Sequence, residues 1–222
     1  MKYFYLILVL LSICFTACKQ EDPPKFHFEY FGMEEGRYVV YDVVEIFHDD
    51  AQQAHDTTRY QMKTLWADVY IDNEGREGRE YIIFKRDDAT LPWGLTDVWH
   101  GVFDGIRGEL IEENQRRVKL VFAPTTAKEW DANAYNLDEY QECYYRDIHG
   151  DTILNGAHLD STLVVEMMSI KHALYDRRIY EVYKKHVGLV YKHYKYNTHF
   201  FASPVVDFGT ELYMTYVTTG IQ

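Results

Sequence analysis

The segment RYQMKTLWADVYI, residues 59 to 71, alternates large apolar side chains with polar ones. Its even positions carry most of the aromatic and sulfur-containing side chains, namely Tyr60, Met62, Trp66 and Tyr70. Its first odd positions carry polar side chains, namely Arg59, Gln61 and Lys63. Successive side chains of a β-strand point to opposite faces, so the pattern predicts a strand with one buried face.

Further runs rich in aromatic and β-branched residues have the composition of strands. They cover residues 38–47, 79–85, 95–103, 116–122, 140–148, 162–170, 189–196 and 212–217. Turn residues such as Asp72-Asn73-Glu74-Gly75, Asp104-Gly105 and Asn155-Gly156 separate them, and these connections are too short for crossover helices. We therefore predict an all-β fold, a single antiparallel β domain of about nine strands over residues 26–222, built as a sandwich or a curved open barrel.

Two segments allow a helix. In residues 175–187, Tyr175, Ile179 and Val182 fall at helical spacing, yet Tyr180-Glu181-Val182-Tyr183 also fits a strand, which we favour. Residues 124–139 read as a long loop with at most a short helix.

The N-terminus has the pattern of a signal peptide. Residues Tyr3 to Phe15 form a run of thirteen residues without a charge, shorter than the roughly 20 that a transmembrane helix needs. The small residues Thr16 and Ala17 then precede Cys18. This pattern predicts a signal peptide over residues 1–17 that is cleaved between Ala17 and Cys18.

The stretch Phe15-Thr16-Ala17-Cys18 resembles the lipobox of bacterial lipoproteins. The resemblance implies that diacylglycerol is attached to the Cys18 sulfur and that the new amino group is acylated after cleavage. Several acyl chains make a stable membrane anchor, whereas one chain would bind only marginally. Residues 18–25 would then be the lipidated cysteine and its tether. The alternative is an ordinary secretory signal, cut near Ala17, with Cys18 unmodified.

The residues that follow, Lys19-Gln20-Glu21-Asp22, resemble the charged export signal of surface lipoproteins of the Bacteroidota. Residues 32–43, 117–122 and 187–192 are also similar to segments of lipoproteins from that group. The resemblance implies an outer-membrane location and β architecture. Display on the cell surface and attachment to the periplasmic leaflet both stay open.

The net charge narrows the classes of molecule that the protein can bind, and the cysteine content limits its disulfides. The chain has 23 Lys and Arg against 35 Asp and Glu, a net charge of −12, which would repel nucleic acid and anionic lipid headgroups. The expected membrane contact is therefore the lipid on Cys18. Once Cys14 has left with the signal and Cys18 carries lipid, Cys143 has no disulfide partner in the chain, and we predict a buried core thiol.

No motif for metal or covalent catalysis is evident. His48 and His55 lie among three aspartates, but their spacing matches no structural metal template, so we expect a solvated hairpin without metal or cofactor. The chain has no Gly-x-Ser-x-Gly, Cys-x-x-Cys or His-Glu-x-x-His sequence. Adjacent acids such as Glu112 and Glu113 would point to opposite faces of a strand, so we name no catalytic residue.

The aromatic content is high, with 20 Tyr, 12 Phe and 4 Trp. Such side chains fill strands, but they also suit sugar faces and protein contacts, and the candidates for contact are Trp93, Trp99, Tyr194 and Tyr196. We therefore expect a non-catalytic binding or assembly component of the cell envelope, whose partner is a glycan or an envelope protein. The alternative is a glycan-acting hydrolase with carboxylates from separate strands.

The lipid anchor can be tested by replacing its attachment atom. We expect Cys18→Ala to abolish incorporation of a fatty-acid analogue during growth, because the sulfur that accepts diacylglycerol is gone. Labelling followed by gel fluorography measures this. Equal label in the wild type and the variant would contradict the lipoprotein assignment.

Overall fold

The computed structural model describes residues 25–201, 203 and 205–222. The predicted signal peptide, its cleavage site at Ala17 and Cys18, and the tether as far as residue 24 lie outside the described residues. Within the described part of the chain, the regular structure is almost entirely β.

Residues 25–222, apart from 202 and 204, contain twelve strands, with short 3-10 turns at Phe28–Tyr30 and Asp50–Gln52. The strands are β1 (Arg37–Asp49), β2 (Ala54–Ile71), β3 (Glu77–Arg86), β4 (Gly94–Phe103), β5 (Arg107–Glu112), β6 (Gln115–Val121), β7 (Glu129–Asp131), β8 (Glu142–Leu154), β9 (Ala157–Lys171), β10 (Tyr175–Lys184), β11 (Gly188–His199) and β12 (Val206–Ile221).

All twelve strands belong to one antiparallel sheet in the order β6-β5-β4-β3-β2-β1-β12-β11-β10-β9-β8-β7. The first strand, β1, therefore pairs with the last, β12, as well as with β2. This arrangement confirms an all-β fold with antiparallel pairing. It is one curved sheet rather than two packed sheets, and so corresponds to the barrel alternative.

The two edges of the sheet approach each other, which gives it a nearly closed, barrel-like shape. Val118 N in β6 donates to Ala132 O at 2.9 Å, just after β7, and the Trp130 indole donates to Val118 O at 3.1 Å. The Tyr145 hydroxyl donates to Val121 O at 2.6 Å and accepts from Val121 N at 2.9 Å. One backbone hydrogen bond and the side chains of Trp130 and Tyr145 thus satisfy backbone groups at edges that no regular ladder joins.

The predicted strand count of about nine was too low. The favoured strand at residues 175–187 is present as β10, whereas β5 and β7 were missed. Strand β5 has only six residues and includes Gly108, and strand β7 has only three residues. Strands this short are hard to distinguish from turns by composition.

The helix alternatives were wrong. The described residues contain no α-helix, and residues 124–139 form turns around β7. In β10, Glu181, Val182 and Tyr183 are all buried, so both faces of the strand carry large side chains and a helical spacing appears by coincidence. In the described part of the chain, no helix has the length and hydrophobicity that a membrane crossing requires.

The N-terminal segment closes one end of the barrel, which we call the closed end. Phe31 is buried there, and its ring centroid lies 5.6 Å from that of Trp66. Gly32 touches the turn before β11, because a Cβ at Gly32 would lie 2.6 Å from Gly188 N. Both glycines have positive φ, so the close backbone approach favours glycine at both positions.

A second cover lies on the outer face of the sheet. The distal part of the β8–β9 hairpin packs there, with Leu154 and Leu159 in the same apolar cluster as Val164, Val182 and Val190. This cover explains why Val164, Val182 and Val190 are buried although they do not line the interior of the barrel.

We predict that Phe31→Ala lowers the free energy of unfolding by about 3–5 kcal/mol, the usual cost of truncating a buried phenylalanine. Phe201→Ala is the matched control, because Phe201 is 79% exposed and should change stability by no more than about 0.5 kcal/mol. Urea unfolding measures both. Equal, small effects would show that the N-terminal segment is not part of the core.

Candidate functional site

A cavity inside the barrel has a volume of about 280 Å³. It runs from Phe31 at the closed end to the exposed residues Thr96 and Glu113 at the opposite end, which we call the open end. Its apolar and aromatic lining includes Tyr41, Tyr60, Met62, Trp66, Tyr81, Ile83, Trp99, Leu110, Tyr183, Leu189, Leu212 and Met214. Alternation along β2 places Tyr60, Met62 and Trp66 on this inner face, as their parity predicted.

A cluster of charged groups extends into the cavity between β6 and β10. Lys119 Nζ lies 2.8 Å from Glu181 Oε1 and 3.5 Å from Glu112 Oε1. Lys192 Nζ lies 3.8 Å from Glu181 Oε1, and the Tyr183 hydroxyl donates to Glu181 Oε2 at 2.5 Å. Glu181 is 1% exposed and Lys119 is 7% exposed. We call these five residues the interior charge cluster.

The surroundings fix the protonation states of this cluster. Burial opposes the charge on Glu181, but the ammonium groups of Lys119 and Lys192 and the Tyr183 hydrogen bond together lower the pKa of Glu181. Burial likewise opposes the charge on Lys119, but Glu112 and Glu181 raise the pKa of Lys119. Burial and the neighbouring carboxylate raise the pKa of Tyr183. At neutral pH Glu181 is therefore a carboxylate, Lys119 an ammonium ion and Tyr183 a neutral phenol.

Polar groups also lie towards the open end of the cavity. The Tyr60 hydroxyl donates to Glu45 Oε1 at 2.6 Å, and the Trp99 indole donates to Asp97 Oδ2 at 2.8 Å. Lys85 Nζ lies 4.5 Å from the centroid of the Tyr60 ring, within cation–π range. The entrance thus combines aromatic faces with carboxylates that already accept hydrogen bonds.

Two acids converge in this aromatic cavity, as a glycosidase would require, but their setting does not suit acid–base catalysis. Glu112 and Glu181 both contact Lys119, which neutralises charge between them. A glycosidase needs one carboxyl group with a raised pKa to protonate the leaving group. The pKa of Glu181 is instead lowered. The geometry is that of a buried ion-pair network.

Of the predicted contact residues, only Trp99 lines the cavity. Trp93 lies elsewhere, with its ring 4.1 Å from the Arg86 guanidinium and 5.6 Å from Lys63 Nζ. Tyr194 and Tyr196 stack on each other with ring centroids 6.4 Å apart. Arg177 covers Tyr196, which is 37% exposed. A contact role for these residues stays a prediction.

Sequence reasoning missed the interior charge cluster. Its one signal is that Lys119 stands between the apolar residues Val118 and Leu120, and Glu181 between Tyr180 and Val182. A charged residue inside an otherwise apolar strand marks a position that needs a buried partner. The sequence alone could not identify that partner.

The other candidates lie away from the cavity. Cys143 is fully buried in the apolar core, as predicted, and burial raises the pKa of its thiol to about 12. His48 and His55 lie on the outer face near the β1–β2 turn. In the described residues, no three His, Cys, Asp or Glu side chains form a group that could hold a metal ion.

We predict that Glu181→Gln costs about 3 kcal/mol at neutral pH, because it leaves Lys119 with only Glu112 as a counter-ion. The folded pKa of Glu181 lies below its ordinary value of 4.5, so its stabilisation is complete above that pH and is lost as pH falls through the folded pKa. The stability gap between wild type and variant should therefore narrow in acid. Urea unfolding at a series of pH values measures it, with the exposed Glu77→Gln as control. A stability difference that does not change with pH would contradict the conclusion that Glu181 is a buried carboxylate paired with Lys119.

Comparison with protein families, curated proteins and solved structures found no match to this chain.

Proposed function

We propose that this protein is a lipid-anchored, non-catalytic binding protein of the bacterial outer membrane that holds a small, mainly apolar ligand inside its barrel. The observation that carries the proposal is the cavity inside the barrel, which runs from the buried Phe31 at the closed end to the exposed Thr96 and Glu113 at the open end. Concave, mostly apolar sites with a few polar groups are the usual form of small-molecule sites, and the mouths of barrels are a common location.

The size and lining of the cavity limit the ligand. Its volume of about 280 Å³ is close to the lower end of the roughly 300–1,000 Å³ found for ligand pockets. It suits a compound of one or two rings rather than an extended glycan chain. Trp66 and Tyr81 are buried against each other with ring centroids 4.4 Å apart, so they form a rigid aromatic wall for such a ring.

The N-terminal segment reaches the barrel at the closed end, which supports ligand access through the open end. Phe26 O accepts a hydrogen bond from Ala123 N at 3.0 Å, and the Phe28 ring packs on Phe103 and Phe122. A lipid on Cys18 would therefore tether the closed end. The open end, with Thr96 and Glu113, would face away from the anchored membrane.

A hydrolase acting on glycans is the weaker candidate. The only two acids that share a buried contact inside the cavity, among the described residues, are Glu112 and Glu181, and Lys119 holds both as ion-pair partners. The pKa of Glu181 is lowered rather than raised, so Glu181 does not provide the proton donor that glycoside cleavage requires.

A neutral fluorescent amphiphile, N-phenyl-1-naphthylamine, tests the binding proposal. We expect its fluorescence to rise with a one-to-one stoichiometry, and Leu212→Trp or Met62→Trp to weaken binding by about tenfold or more, because each fills the cavity. Val217→Trp is the control, since Val217 lies on the same strand as Leu212 but is 43% exposed. Thermal unfolding checks that the variants fold.

Two results would contradict the proposal. One is equal probe affinity in the cavity-filling variants and the control. The other is release of reducing sugar from glycans by the wild type and its loss in Glu112→Gln, which would favour the hydrolase.

A further inference from the structure

A second site lies on the outer face of the barrel, away from the cavity. His48 in β1 stands directly opposite His55 in β2 in the antiparallel register. Glu45 and Tyr60 line the cavity from these two strands, and the parity of His48 and His55 is opposite to theirs, so both imidazoles point outward. Directly opposed residues on one face of a sheet have neighbouring side chains.

The two imidazole rings face each other through their Nδ1 atoms. His48 Nδ1 lies 3.3 Å from His55 Nδ1. His48 Nε2 lies 3.5 Å from Glu211 Oε1, and His55 Nε2 lies 3.8 Å from Asp50 Oδ1. Each imidazole therefore has a carboxylate on its outer nitrogen and the other imidazole on its inner nitrogen.

The carboxylate next to His48 is held firmly in place. Glu211 is 9% exposed, and its Oε1 accepts a hydrogen bond from Asn197 Nδ2 at 2.6 Å. The Tyr213 hydroxyl donates to Glu211 Oε2. Glu211 is thus held in a fixed position, with its Oε1 facing His48 Nε2 at 3.5 Å.

A fixed anion selects the tautomer of the imidazole beside it. A proton on Nε2 faces the carboxylate favourably, and it leaves a lone pair on Nδ1. His48 Nε2 is also buried without a hydrogen-bond partner, so Glu211 is its electrostatic partner at 3.5 Å. If Asp50 acts on His55 in the same way, two lone pairs meet at 3.3 Å. A positive centre between the two nitrogens, either a proton or a metal ion, stabilises such a pair.

We propose that His48 and His55 bind one divalent transition-metal ion of the zinc class through their Nδ1 atoms. Two nitrogens at bond lengths of 2.0–2.1 Å in tetrahedral geometry lie about 3.3–3.4 Å apart, which matches the spacing of these two atoms. Glu211 and Asp50 then act as outer carboxylates that orient the ligating rings. Water, or a donor from a bound partner, completes the coordination.

This site differs from the expectation drawn from the hairpin sequence. The seven-residue spacing of the two histidines matches no structural metal template, but the β1–β2 register places their side chains directly opposite each other. With two protein ligands instead of the three or four of structural zinc sites, the site binds metal reversibly.

Zinc titration of the full-length protein in detergent, in competition with a chromophoric chelator, tests the proposal. We expect one equivalent to bind with micromolar affinity, on the order of 8 kcal/mol. His55→Gln and His48→Gln should each weaken binding by about tenfold or more. The His55 side chain is 49% exposed, so its replacement should leave the fold intact.

His158→Gln is the matched control. Its imidazole is exposed and lies 3.3 Å from Asp151, so it pairs a histidine with an acid as His55 does. Unchanged zinc affinity in His158→Gln, with loss in His55→Gln, supports the site. Equal affinity in all three proteins, or no binding up to about 100 µM zinc, overturns it. Probe binding in the cavity is independent of either result.

Discussion

The backbone pairing of β1 with β12 joins the two halves of this molecule. Strands β1 to β6 form one consecutive meander and β7 to β12 another, and the β1–β12 ladder is the regular strand pairing that connects them in the described part of the chain. The main apolar core combines Trp66 and Tyr81 from the first half with Tyr145 and Tyr183 from the second. Neither half has a closed interior alone. Because this ladder joins residues far apart in sequence, its loop-closure entropy is large, which is typical of slow-folding β proteins.

The interior charge cluster makes a second connection between the halves. Glu112 and Lys119 come from β5 and β6, whereas Glu181 and Lys192 come from β10 and β11. The contacts cross the barrel rather than follow the sheet. Buried ion pairs add little net stability compared with apolar packing, but breaking one leaves a charge without compensation. The cluster therefore penalises any other register between these strands, and it keeps polar groups in a cavity whose walls are otherwise mainly apolar.

The fold class could be predicted from the sequence because strand alternation is a local property, as residues 59 to 66 show. The predicted parity fails for Tyr70, because a register shift between Trp66 and Val69 interrupts the alternation. Strand β5 could not be predicted, because six residues with one glycine show too little alternation. The buried face of β10 was ambiguous, because Glu181, Val182 and Tyr183 are all buried. The contacts within the interior charge cluster and between the two histidines were harder still to predict. That Lys119 meets Glu181, or that His48 meets His55, depends on sheet curvature and register, which no single segment contains. Trp99 could be named as a contact candidate from its residue type alone.

The strand order has a simple relation to the chain order. Reading from β7 to β12 and then from β1 to β6, every strand is followed by its neighbour in the sheet. Gln222 N donates to Gly36 O at 2.8 Å, so the end of the last strand lies beside the start of the first. The barrel is therefore a circular permutation of an uninterrupted up-and-down meander. A linker from Gln222 to the N-terminal segment, with new termini in the connection between β6 and β7, would keep Phe31 in the core and preserve every strand pairing.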